Sequence, residues 1–173
     1  MLNLGPLSFP EPIVMGILNV TPDSFSDGGR FDNLNIALRQ AAMMVEGGAS
    51  IIDIGGESTR PGAQSVSAQE ELDRIIPVIE AVRSVTDVPM SVDTSKAEVM
   101  RQAVAAGAAM INDINALRGD GALQAAADLK VPVCLMHMQG EPRTMQQNPE
   151  YDDVVADVAE FLDERISACV DAG

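Results

Sequence analysis

Tryptophan is absent from this 173-residue chain, and Phe, Tyr and Trp together make up only 3% of it. Any core must therefore be built from Val, Ile, Leu, Met and Ala, which fill space without large flat rings. Basic residues are few, 11 Lys and Arg against 26 Asp and Glu, leaving a net charge of −15. That balance argues against nucleic acid or an anionic membrane surface as a partner. An anionic small molecule stays possible, provided local arginines, helix N-termini or a metal ion meet it. There are two cysteines, Cys134 and Cys169, in neither a metal-spaced nor a redox motif, so a disulfide framework and a thiolate zinc site are both unsupported. A single histidine, His137, leaves no His cluster. The first twelve residues, MLNLGPLSFPEP, have neither a basic segment nor a long apolar run, which fits no signal peptide or membrane anchor. A cytoplasmic setting is the expectation.

Hydrophobic residues make up 46% of the chain, enough for one sizeable domain. They fall into short apolar runs at 13–20, 50–54, 88–92, 110–114 and 131–138. Each run reads as a strand buried on both faces, as in a parallel sheet. Between them lie segments of helical period. Leu34, Leu38, Ala41 and Val45 share a face of one, and Leu72, Ile75, Ile79 and Val82 a face of the next. Val154, Val158, Leu162 and Ile166 mark the last. Ser67 with Glu70, and Ser95 with Glu98, have the spacing of capping boxes. Gly47, Gly48 and Gly107 stand where helices end. The plan is five βα units in succession and an α/β fold with a parallel sheet.

Two such folds compete. The segments GASIID (48–53) and GAAMIN (107–112) repeat one pattern, placing Asp53 and Asn112 at equivalent strand ends. Every strand closes on a polar group: Asn19, Asp53, Asp93, Asn112 with Asp113, and His137. Polar residues at the C-terminal ends of successive parallel strands characterise a (β/α)8 TIM barrel. A doubly wound sheet gathers them at one switch point, with a glycine-rich phosphate turn after its first strand. No G-x-G-x-x-G or P-loop occurs, and the barrel is favoured. A barrel takes about 250 residues and eight units, whereas five are present. The final CVDAG resembles the earlier helix–glycine–strand junctions MVEGGAS and AVAAGAA, so a sixth strand is expected after it.

The strand-to-helix segments hold the chemistry. After the first strand, ILNVTPDSFSDGG (17–29) is polar, ends in glycines and carries one stranded aromatic, which reads equally as a binding loop or an ordinary solvated one. Asn19 has an amide suited to a metal or a phosphate oxygen. The second loop, GGESTRPGAQSVS (55–67), offers Arg60 to an anion. Asp53 reads as a structural carboxylate in preference to a ligand contact. Asp93, at the end of a buried strand, needs hydrogen-bonding partners, and an amidine-like N–H edge would supply them. Asn112 adds a donor and an acceptor at the same depth, so the pair suits a heterocycle. His137 reads as structural or ligand-lining rather than as a general base, because no partner is identifiable. Met138, taken alone, reads as core.

These segments together resemble the dihydropteroate synthase family. MGILNVTPDSFSDGG (15–29) and DIGGESTRPGA (53–63) look like its two signature motifs. SVDTSKAEV, INDINAL and LMHMQGEPRTMQQNPEYDDV continue the match in order. The resemblance implies a transferase in folate biosynthesis on a (β/α)8 barrel, the target of sulfonamides. It joins 6-hydroxymethyl-7,8-dihydropterin pyrophosphate to p-aminobenzoate, giving 7,8-dihydropteroate and pyrophosphate through an SN1-like pterin cation. It implies pterin contacts at Asp93, Asn112 and Met138, and Mg2+ and pyrophosphate at Asn19, with Asn19, Asp93 and Asn112 as the catalytic set. Phe25, Asp27, Thr59, Arg60 and Pro61 would form the p-aminobenzoate side, and full-length members are usually homodimers. Residues 1–173 would be one incomplete pterin-binding domain lacking three units. Full-length members continue with a second pterin Asp, a Lys on the pterin and an Arg-x-His on pyrophosphate. The 173 residues alone are accordingly expected to be inactive and to expose a sheet edge. Two other readings are a pterin-binding methyltransferase, which should lack both signature loops, and a non-catalytic pterin-binding homologue or barrel fragment.

Overall fold

A computed structural model of the chain describes residues 2–21, 30–58, 65–142 and 144–173. Five strands form one wholly parallel sheet: β3 (Val14–Asn19), β4 (Ala49–Gly55), β5 (Met90–Asp93), β6 (Met110–Asp113) and β7 (Val133–Leu135). Each is followed by a helix: α1 (Arg30–Glu46), α2 (Ala68–Val85), α3 (Ala97–Ala106), α4 (Ala122–Leu129) and α5 (Val154–Ala172). Spatial order equals chain order, β3-β4-β5-β6-β7. With no reversal in that order there is no switch point, and right-handed crossovers place every helix on the same face. Consecutive helices accordingly pack on one another, α1 on α2 through to α4 on α5. This is the winding of a (β/α)8 barrel, of which the chain supplies five βα units.

The pairing register explains why the runs are apolar on both sides. Leu18 pairs with Ile54, Ile54 with Val92 and Val92 with Ile111, and all four are fully buried beneath the helices. From the helix side, Ile75, Ile79 and Val82 of α2, and Val99, Met100 and Ala103 of α3, meet them. The helical period read in α2 from sequence is the face that is buried.

Local chemistry sets the helix ends, and neither expected capping box closes. Ser67 caps α2 by accepting from the Glu70 amide at 3.2 Å, although the Glu70 carboxylate turns to Arg74 at 2.5 Å instead of closing the box. The second expected box does not form. Lys96 occupies the cap of α3, where its side chain makes no capping bond, and the Ser95 hydroxyl donates to Asp113 at 2.6 Å. The buried carboxylate is the stronger acceptor and takes the hydroxyl from the helix. Gly107 ends α3 at φ 130°, where a Cβ would lie 2.6 Å from Arg83 Cδ, so only glycine fits.

Three further differences from the sequence reading stand out. The run 131–138 forms a strand only over β7, leaving His137 and Met138 in the connection beyond it. A hairpin, β1 (Leu2–Leu4) with β2 (Leu7–Phe9), precedes the barrel strands and turns at Gly5, close to Pro132 at the start of β7. Finally, the apolar stripe of α5 is poorly covered, with Val154 54% and Ile166 51% exposed.

Candidate functional site

One row of residues crosses the sheet at the C-terminal ends of its strands. Asn19 lies opposite Gly55, Gly55 opposite Asp93, Asp93 opposite Asn112 and Asn112 opposite Cys134. Two residues earlier, Ile17, Asp53, Ser91 and Met110 form a second row in the same register. Side chains alternate along a strand, so both rows share the face away from the helices. That face becomes the barrel interior. Five of its positions, Asn19, Asp53, Ser91, Asp93 and Asn112, are polar groups placed side by side, and Gly55 leaves a gap among them. A Cβ at Gly55 would come within 3.4 Å of Asp93 Oδ2 and 3.6 Å of Asn19 Oδ1. Bare backbone there keeps the space between these two side chains open.

The carboxylates are held unusually. Asp53 is 2% exposed and accepts from Asn112 Nδ2 at 3.0 Å through one oxygen. Its other oxygen and the Ser91 hydroxyl are both buried, and among the described residues neither has a hydrogen bond of ordinary geometry. Burial raises the Asp53 carboxyl above its ordinary range, against the opposing influence of Ser91 and Asn112 beside it. Asp93 is pushed up to about 7, first by burial and then by the negative charge of Asp53, Glu71, Asp113 and Glu57. Burial, with Asp53 and Asp93 nearby, also raises the Cys134 thiol, which keeps it protonated and unreactive. The face is thus rich in acceptors and short of donors. It suits a neutral or cationic ring that presents N–H groups, and it repels a bare anion.

A second polar cluster stands just behind the row. Lys96 donates to Glu71 at 2.6 Å and to Glu57, bridging the first turn of α2 to the chain leaving β4. Glu71 is fully buried. Burial opposes the charge on Lys96, but its bonds to Glu57 and Glu71 outweigh that and hold the ammonium above its ordinary value. Arg74 donates to the Gly56 carbonyl at 2.7 Å.

Of the residues singled out from sequence, Asn19, Asp53, Asp93 and Asn112 therefore come together on one face. Asp113 does not join them: it points to the helix side and accepts from Ser95 Oγ and the amides of Asn115 and Leu117. Met138 is buried beyond β7. His137 packs edge-on against Phe161 at 4.9 Å and beside Tyr151 at 5.9 Å. Phe25, Asp27, Thr59, Arg60 and Pro61 lie outside the described residues. Ser91, Glu57, Glu71 and Lys96 were not anticipated. Ser91 is two residues before Asp93 on one strand, a period-2 signal that was available. The other three carry no sequence signal, because a Lys and a Glu at helix starts and a Glu in the chain leaving a strand ordinarily face solvent.

Comparison with known proteins agrees with the barrel fold. The dihydropteroate synthase of Escherichia coli (strain K12) is 57% identical over 167 residues, 96% of this chain and 59% of that protein. A crystal structure of the Yersinia pestis dihydropteroate synthase with a sulfonamide drug complex superposes with TM-score 0.90 at 56% identity, covering 99% of this chain and 63% of that one. The Xanthomonas albilineans dihydropteroate synthase with 4-aminobenzoic acid gives TM-score 0.87 at 58% identity, over 95% of this chain and 58% of that one. The chain thus spans about three fifths of the length of these relatives. Among the described residues no helix is long and apolar enough to cross a membrane. The profile of the family described as "Pterin binding enzyme" matches residues 15–173, and the chain belongs to that family.

Proposed function

We propose that residues 1–173 form the pterin-binding part of a dihydropteroate synthase. That enzyme joins 6-hydroxymethyl-7,8-dihydropterin pyrophosphate to p-aminobenzoate. The observation that carries this reading is the row Asn19–Gly55–Asp93–Asn112, with Asp53 bonded beneath Asn112. In the proposed complex the ionised Asp93 accepts the N–H edge of the pterin, and Asn112 supplies a donor and an acceptor beside it. Asp53 fixes the Asn112 amide so that it presents one orientation. Met138 packs by the ring. Phe25, Asp27, Thr59, Arg60 and Pro61 complete the p-aminobenzoate side.

Chemically, the bond between the pterin methylene and the pyrophosphate oxygen breaks, and its electron pair leaves with pyrophosphate. The ring stabilises the resulting cation, the aromatic amine attacks the methylene, and the amine proton is lost. No strong general base is required, which fits a face whose groups bind and orient. The carboxylates Asp53 and Asp93 stabilise the developing cation electrostatically. Mg2+ would neutralise the departing pyrophosphate. Among the described residues no group of three or more His, Cys, Asp and Glu side chains forms a metal cage. Mg2+ carried on a phosphate keeps most of its waters and needs only one or two protein oxygens, a demand that Asn19 at the exposed end of β3 fits. The full-length enzyme is proposed to work in the cytoplasm as a homodimer.

Calorimetry with the pterin pyrophosphate, with and without Mg2+, and a pyrophosphate-release assay test the proposal. Extended to the length of its relatives, the chain should turn over, and Asp93→Asn should weaken pterin binding at least tenfold, the loss of about one charge-assisted hydrogen bond. The 173 residues alone should show no turnover. Unchanged pterin affinity in Asp93→Asn would sink the assignment of the row, and turnover by the 173 residues would sink the need for the remainder.

A further inference from the structure

Behind the site, Lys96 bridges two carboxylates that belong to different elements. Glu71 stands in the first turn of α2 and is fully buried, and Glu57 is the second residue beyond β4. Lys96 itself sits between β5 and α3, three residues after Asp93. A partly buried lysine–glutamate pair is a modest source of net stability, because desolvation offsets part of its attraction. Its geometric effect is large, since a cation held by two carboxylates ties together the segments that carry them. Two further contacts act on the same segment. Arg74 holds the Gly56 carbonyl, and a Cβ at Gly56 would lie 2.7 Å from Ile75 Cγ2 and 3.1 Å from Glu71 Cγ, so the backbone is seated directly on α2. Immediately before it, the Gly55 carbonyl accepts from the Val20 amide at 2.7 Å, just past Asn19.

We propose that Lys96 is a positioning residue. By clasping Glu57 to Glu71 it fixes the exit of β4 against α2, and so holds Gly55 in the gap between Asn19 and Asp93. This rests on the reading that the row binds the pterin ring. The Lys96 ammonium is held by Glu57 and Glu71 and acts on the row through the backbone of residues 55–57. The separation of those two carboxyl- and amide-bearing side chains is then set from outside the face they line.

NMR-detected amide exchange on the chain tests this without any ligand, using the Val20 amide as reporter. Lys96→Met should speed its exchange at least tenfold while the α3 amides keep their protection, and Lys96→Arg should restore it to within about threefold. Glu57→Gln provides a second route should Lys96→Met not fold, since it leaves the Lys96–Glu71 pair in place and should reproduce the local effect. In parallel, calorimetry with 6-hydroxymethylpterin should show about tenfold weaker binding to Lys96→Met and Glu57→Gln, and near wild-type binding to Lys96→Arg. Exchange that rises equally throughout the chain, or does not change at Val20 in either disruptive variant, overturns the positioning role. A wild-type chain that binds no pterin speaks against the functional reading alone, and the exchange result still decides the role of Lys96.

Discussion

Asp93 joins the chemistry of the site to the stability of the fold. Its carboxyl titrates near 7 in the folded chain because burial and four neighbouring carboxylates disfavour its charge. Unfolded, it returns to the ordinary value of 3.8. Between those values the folded state binds more protons than the unfolded one, so stability is fully present below about pH 4 and is lost as pH rises through 7. The shift of about 3 units corresponds to at most about 4 kcal/mol, and partial solvent access reduces it to on the order of 2 kcal/mol. Asp93→Asn removes the titrating group but keeps its shape. In urea unfolding the variant should gain on the wild type by about 2 kcal/mol between pH 4 and 8. A difference that does not change with pH would show that Asp93 ionises normally. The acceptor proposed for the pterin ring is thus a residue the fold would be more stable without, a common cost of a binding site.

At the scale of elements, Asp113 organises the turn that carries the chain from β6 to α4. Next to Asn112, it faces the other way and accepts from Ser95 Oγ at 2.6 Å and from the Asn115 and Leu117 amides, both at 2.8 Å. Ala116 and Leu117 are both buried at positive φ, 52° and 57°, a conformation that costs an L residue about 1 kcal/mol or more each. The buried carboxylate holds them there. Asp113→Ala should therefore cost roughly 3 kcal/mol in chemical denaturation, the sum of orphaned buried donors and released strain; a loss below about 1 kcal/mol would assign the turn to packing alone. Asp113 also marks where the sequence stops being legible. The five strands, their order and the polar ends of all but the last strand could be read, because apolar runs and helical period are local signals. Whether an acidic residue at a strand end points into the barrel or under a helix depends on strand register. INDI is compatible with either Asn112 or Asp113 facing inward. The Ser95–Glu98 spacing misled for the same reason: Asp113, eighteen residues away, claims the Ser95 hydroxyl. The Lys96–Glu57–Glu71 bridge joins three segments and leaves no periodic trace at all.

The described residues form a sheet backed by helices, with one finished surface and one open one. Its helix-side core is closed, with Leu18, Ile52, Ile54, Ile75, Ile79, Val92 and Ile111 fully buried. Among the described residues strands β3 and β7 are the two edges of the sheet, each paired with a strand on one side. On the open face Ile17 is 50% exposed, and Val14 at the start of the same edge strand is 63% exposed. Parallel edges with apolar residues at their margin recruit further strands. A polypeptide confined to these 173 residues should therefore associate. In sedimentation velocity its weight-average mass should rise with concentration in the micromolar range, even though a net charge of −15 opposes contact. Salt should strengthen the association by screening that charge. Ile17→Lys, which puts a charge on the open face beside the β3 edge, should shift association to at least severalfold higher concentration. It should leave the helix-side core and the thermal midpoint nearly unchanged, because half of the Ile17 side chain is already in water. A monomer that persists at high concentration and high salt would mean that the polar row, with its buried charges, already makes the open face hydrophilic enough to stand alone.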